Sequence, residues 1–213
     1  FDNYSLFCGS PERYIKLNNK RLISEPIKGT APRSKDPIQD LRNKENLETD
    51  PKERAENIMI VDLVRNDFSK IAANHSVKVD ALCAVHSFEN VHQMISTVSC
   101  EINEGTTFTD IIKASFPMGS MTGAPKLKAM ELIEESEDFK RGLYSGSLGY
   151  IEPNGDFDFN VIIRSLLYNQ EQEYLSCSVG GAITIKSDPE KEYEECLLKA
   201  KAMQFVLTNS NEL

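Results

Sequence analysis

Residues 91–102 read VHQMISTVSCEI, a partial alternation of apolar and polar positions that predicts a half-buried strand. Segments of this kind alternate along the chain with others of helical period. Residues 4–27 read as strands, broken at Asn18-Asn19-Lys20, a turn signal. Residues 36–72 read as helical, with a fresh start at Asp50-Pro51-Lys52-Glu53. There an aspartate stands at the N-cap, a proline at the first helical position and a glutamate where a capping box needs one. Strands are expected over 76–101, and helices over about 107–115 and 124–138. Strands at 145–152 and 157–168 are joined at Pro153-Asn154-Gly155, where Asn-Gly favours a hairpin. A strand over 173–186 contains Gly180-Gly181, and Pro189 opens a last helix to about Leu207. Hairpin-linked strands with helices collected between them predict an α+β fold, largely antiparallel sheets with packed helices, as one domain over 1–213.

Composition narrows the classes. A chain of 213 residues, 40% hydrophobic and 27% charged, is long enough for a sizeable core. Its net charge of −9 argues against nucleic acid, which selects basic surfaces. No apolar run approaches the roughly 20 residues of a membrane helix, and no signal-peptide pattern opens the chain. The five cysteines lack CxxC spacing, so neither a disulfide frame nor a zinc site is indicated, and a cytoplasmic setting is expected. The chain opens on Phe1, directly in a strand pattern, and is expected to be part of a longer polypeptide.

Two groups of residues suggest chemistry. In EPIKGTAPR (25–33), a proline fixes the backbone ahead of Lys28 and Gly29 follows it. A solvated surface lysine needs no such frame, whereas a lysine that must aim its amine does. On the last helix Glu192, Glu195 and Lys199 fall at i, i+3 and i+7 and share a face. Glu53 and Glu56 repeat the E-x-x-E spacing on the 50s helix. Two such pairs would suit a hard divalent cation such as Mg²⁺, which takes oxygen ligands. The spacing alone equally fits solvated helix faces, and Glu53 is already explained by capping.

Nine segments, in order, change the picture: SPERYI (10–15), PIKGTAPR (26–33), RAENIMIVDLVRND (54–67), VHQMISTV (91–98), FPMGSMTGAPKLKAMELIEE (116–135), GSLGYI (146–151), VIIRSL (161–166), SVGGAI (178–183) and EYEECLLKA (192–200). Together they resemble the C-terminal, chorismate-binding half of the chorismate-utilising enzymes. The likeness spans nearly the whole chain, and the N-terminal portion of that family would precede Phe1. Within the family, anthranilate synthases usually carry PIAGT, and aminodeoxychorismate synthases PIKGT. Lys28 places the likeness with the latter.

That resemblance implies an amination of chorismate at C4 that serves p-aminobenzoate and folate synthesis. Lys28 is then a nucleophile at C2, and Glu12 of SPER donates a proton to the departing C4 hydroxyl. A lysine attacks only when neutral, and its ordinary pKa of about 10.4 requires burial to lower it. The ring carboxylate is assigned to Mg²⁺ held by Glu56 and Glu195, with Glu53 and Glu192 nearby through water. Arg164 would meet the enolpyruvyl carboxylate, its planar fork suiting a bidentate contact. Lys199, Tyr144 and the backbone at Gly180 and Gly181 would complete that end, with Ala182 where the family often has a third glycine. Thr30 and His92 match substrate-contacting positions, although a bond to its own turn and a structural role are their respective alternatives. Ammonia would come from a glutamine amidotransferase subunit. An anthranilate synthase-like enzyme and a non-catalytic chorismate- or partner-binding module are the rival readings. Arg65, Asn66 and Asp67 form a family motif that a salt-bridged helix end explains equally well. Gly119, Gly123 and Pro125 lack the G-K-[ST] of a phosphate loop, and His75 and His86 are read as bystanders.

Overall fold

The computed structural model describes residues 2–185 and 187–208, which form two compact units. The larger comprises Glu12–Lys140 and Ser147–Asn160. Its sheet contains β2 (Arg13–Asn18), β3 (Arg21–Glu25), β4 (Ile27–Pro32), β5 (Lys78–Ser87), β6 (Val91–Glu101), β7 (Ser147–Ile151) and β8 (Phe157–Val161). They run in the order β4-β6-β3-β2-β8-β7, with β5 also on β6. β3 and β4 lie end to end along β6, with Ser24 opposite Val98 and Ile27 opposite Ile95. Pro26 joins them: it has no N–H to give, but its carbonyl accepts the Ser96 N–H at 3.2 Å. The chain therefore stays extended past residue 27, where the strand pattern was expected to end.

Two helices of this unit start at aspartate caps. α1 (Pro37–Thr49) is capped by Asp36, and α2 (Pro51–Ser69) by Asp50, whose carboxylate accepts the N–H groups of Lys52 and Glu53. The buried side of α2 consists of Asn57, Ile60, Val61, Val64, Asp67 and Phe68. Burying each large apolar member contributes about 1.5–3 kcal/mol. α3 (Phe108–Ser115) carries a full Thr107/Asp110 capping box. α4 (Lys126–Ser136) buries none of its residues; Lys126 ties its start to Asp67 and to the Ser115 carbonyl. β6 is more deeply buried than its alternation suggested, because strands flank it on both sides.

The smaller unit comprises residues up to Pro11, Arg141–Gly146 and the chain from Val161 onward. It holds β1 (Tyr4–Cys8), β9 (Ser165–Asn169) and β10 (Tyr174–Ser176) in the antiparallel order β1-β9-β10, with α5 (Pro189–Thr208). The continuous strand expected over 157–168 is interrupted at 162–164, where Arg164 takes φ +51°. The strand expected over 173–186 ends at Ser176. Beyond it, the Gly180 carbonyl accepts from Lys199 Nζ and the Thr184 N–H donates to Ser187 Oγ. Lys186 lies outside the described residues. The α+β class with antiparallel sheets is as expected, and among the described residues no helix is long and apolar enough to cross a membrane.

Candidate active site

The larger unit carries Lys28, Glu12, Thr30, Glu53, Glu56 and His92. Lys28 is half-buried on β4, at a bulge: Ile27 and Thr30 are three positions apart while their partners Ile95 and Gln93 are two apart. Gly29 supplies the extra residue at φ +92°, a conformation L side chains rarely adopt. A Cβ added there would stand 3.0 Å from Leu47 Cδ1 and 3.1 Å from Glu53 Oε2. Glycine thus lets α1 and α2 close against the strand that bears the lysine. Glu12 is buried immediately before β2, and the pairing of Arg13 with Glu25 sets it near the Pro26 corner, two residues before Lys28. Thr30 is exposed.

Glu53 and Glu56 are half-buried one turn into α2. Glu53 borders Gly29, and Glu56 lies 4.0 Å from Lys52 Nζ. One turn on, Asn57 is fully buried: its Oδ1 accepts the Ser96 hydroxyl, and its Nδ2 reaches the Met94 carbonyl at 3.4 Å.

His92 lies buried on β6. The residue is 1% exposed, with Nε2 on Asp40 at 3.1 Å and Nδ1 on the Ser87 hydroxyl at 2.9 Å. Both nitrogens are used inside the unit, so the residue acts as a clamp between β6 and α1. Asp40 also takes the Arg33 Nε and the Ser34 N–H. The Arg33 hydrogen bond, reinforced by the Ser34 N–H, holds the Asp40 carboxyl well below the usual range.

The smaller unit carries Tyr144, Arg164, Gly180, Gly181, Glu192, Glu195 and Lys199. Most of these assemble on one side of α5. Lys199 Nζ pairs with Glu195 at 2.6 Å and donates to the Gly180 carbonyl at 2.9 Å. A Cβ on Gly180 would come within 2.9 Å of the Tyr144 hydroxyl, and one on Gly181 within 3.2 Å of Glu192 Oε2. The glycines therefore admit close approach by Tyr144 and by the buried Glu192. Arg164 is half-buried in the left-handed region, its carbonyl accepting the Gly9 N–H at 3.2 Å. Non-glycine residues held in this region cost about 1–3 kcal/mol and cluster at ligand clamps. Burial raises the nearby Cys177 thiol, and the Arg164 charge partly offsets that.

Glu53 and Glu56 in the larger unit, and Glu192 and Glu195 in the smaller, each keep the i, i+3 spacing of oxygen donors that a hard divalent cation takes; among the described residues no three His, Cys, Asp or Glu side chains are grouped to hold a metal ion. Three residues bonded around these positions escaped the sequence reading. Asn57 had a usable signal, a polar residue on an otherwise apolar helical stripe of 57, 60, 61, 64 and 68. Asp40, 52 residues before its histidine, and Ser96 had none.

The chain matches the family described as chorismate binding enzyme over residues 1–205, and it belongs to that family. It is 43% identical over 200 residues to aminodeoxychorismate synthase component 1 of Salmonella typhimurium, covering 94% of this chain and 44% of that protein. It is 39% identical over 212 residues to anthranilate synthase component 1 of Aquifex aeolicus, covering 100% of this chain and 42% of that protein. The crystal structure of anthranilate synthase component I from Streptococcus pneumoniae aligns with a TM-score of 0.82 at 35% identity, covering 95% of this chain and 44% of that one. The chain thus spans less than half the length of each of these relatives.

Proposed function

We propose that this chain is the chorismate-binding part of an enzyme that aminates chorismate at C4, of the aminodeoxychorismate synthase component I type. The observation that carries the reading is Lys28 on a bulge that Gly29 allows Leu47 and Glu53 to close against. A lysine on so constrained a backbone loses less entropy in reaching an attack geometry. Relatives named aminodeoxychorismate synthase at 43–45% identity support the same direction.

In this reading the neutral Lys28 amine bonds to C2 as the ring double bond shifts and the C4–oxygen bond breaks. Glu12 gives its proton to the departing hydroxyl, which leaves as water, and takes up the proton lost by the alkylated amine. Ammonia then bonds to C4, and the C2–nitrogen bond breaks. One proton passes from the new amine to the departing Lys28. Arg164 and Lys199 bind substrate carboxylate. Glu56 and Glu195, supported by Glu53 and Glu192, would hold Mg²⁺, which when bound draws electron density toward the ring carboxylate and eases attack at C2. A glutamine amidotransferase subunit supplies the ammonia, and five cysteines outside any disulfide suit the cytoplasm.

The test is product identity. With chorismate, Mg²⁺ and ammonia, the product should yield p-aminobenzoate only after a lyase is added. Direct appearance of fluorescent anthranilate would assign the chain to the other branch.

A further inference from the structure

The buried stripe of α2 is interrupted by the fully buried amide of Asn57. Its Oδ1 accepts the Ser96 hydroxyl and lies 3.7 Å from the Cys83 thiol; its Nδ2 faces the Met94 carbonyl at 3.4 Å. Ser96 Oγ in turn accepts the Cys83 N–H at 2.8 Å. Asn57 is therefore bonded to β6 and β5 together. Leaving such a group without a partner costs about 1–3 kcal/mol, so the amide resists any turn or slide of α2. Glu53 stands four residues earlier on the same face, its carboxylate close to Gly29, where an added Cβ would lie 3.1 Å from Oε2.

We propose that Asn57 is a positioning residue for the Glu53–Glu56 face: by locking α2 to β5 and β6 it sets where those carboxylates stand beside the Lys28–Gly29 bulge, and thereby the affinity for a divalent cation. The inference rests on the reading of that face as cation-binding. Packing alone does not ask for an amide here, since a leucine would fill a similar volume.

Titration of the protein with Mn²⁺, read by electron paramagnetic resonance, tests this. Asn57→Leu should weaken Mn²⁺ binding about tenfold. It should raise the Mg²⁺ concentration for half-maximal turnover in parallel, while turnover at saturating Mg²⁺ falls by less than about threefold. Phe157→Leu, in the Phe108–Phe157–Phe159 cluster, is the control for lost stability and should leave Mn²⁺ affinity within about twofold. Unchanged binding in Asn57→Leu, or an equal loss in Phe157→Leu, overturns the proposal. If Asn57→Leu does not fold, Ser96→Ala removes the same hydrogen bond from the strand side. Weakened Mn²⁺ binding in that variant supports the proposal and unchanged binding overturns it. Wild-type protein that binds no Mn²⁺, or binding unaffected by Glu53→Gln and Glu56→Gln, would instead refute the cation reading, and this inference with it.

Discussion

Substituting Gly29 by alanine separates two costs that the fold keeps apart at two glycines. Gly29 sits at φ +92° and Gly155, in the β7–β8 turn, at φ +91°. A Cβ at Gly155 would meet nothing within 4 Å, whereas one at Gly29 would meet Leu47 Cδ1 at 3.0 Å and Glu53 Oε2 at 3.1 Å. The backbone penalty for a non-glycine residue at positive φ is about 1–2 kcal/mol, and both variants should pay it. Gly29→Ala adds overpacking, about 1–3 kcal/mol, for a total of about 3 kcal/mol. In a chain of this size that corresponds to a fall in Tm of about 6–12 °C, against about 2–8 °C for Gly155→Ala. Thermal and urea unfolding of both variants provide the comparison. Turnover should drop in Gly29→Ala alone, because the added methyl displaces the Glu53 carboxylate or the Lys28 strand. Equal destabilisation of the two variants would refute the close approach of Leu47 and Glu53 to the bulge.

The remaining predictions concern titration and the cation. Ser115 gives its hydroxyl proton to the Ile111 carbonyl, so the Tyr14 hydroxyl donates to Ser115 Oγ, and burial pushes the Tyr14 phenol up to about 12. The unfolded phenol ionises near 10, so stability is full below pH 10 and falls by about 2–3 kcal/mol as pH rises to 12. Tyr14→Phe should lose about 1 kcal/mol at pH 7 and show a shallower alkaline decline in denaturant midpoints; an unchanged decline refutes the assignment. Asp40 is depressed when folded, so its stabilisation is present above the ordinary carboxylate range and disappears as pH falls through and below it. Asp40→Asn should start less stable at neutral pH and flatten the acid limb of the stability profile. Glu195→Gln should abolish Mg²⁺-dependent turnover with the circular dichroism spectrum unchanged; retention of full Mg²⁺ dependence would remove Glu195 from the cation site.

Local signals carried most of the fold. Asp36 and Asp50 cap their helices through bonds spanning two or three residues, and Asn154-Gly155 turns a hairpin, so short windows of sequence contain the cause. The bulge at Lys28–Gly29 was not legible, because it exists only relative to β6, more than 60 residues later. His92 illustrates the same limit. Its motif left a substrate contact and a structural role both open, and its bonds to Asp40 and Ser87 arise through pairings that no local pattern encodes. The loop at 177–185 misled in the opposite way. Its composition suits a strand, yet the Gly180 carbonyl is bonded to Lys199 across 19 residues. Gly180 and Gly181 were singled out for their amides; the space their missing side chains leave for Tyr144 and Glu192 was visible only in three dimensions.

The proposed role of Lys28 as nucleophile is open to a direct test. Protein incubated with chorismate and Mg²⁺ without ammonia is denatured, digested and examined by mass spectrometry. The peptide containing Lys28 should gain the mass of chorismate less one water, ammonia should discharge the adduct, and Lys28→Ala should abolish it while chorismate still binds. Formation of aminodeoxychorismate by Lys28→Ala at an undiminished rate would contradict the account and leave the lysine as a charge beside the substrate.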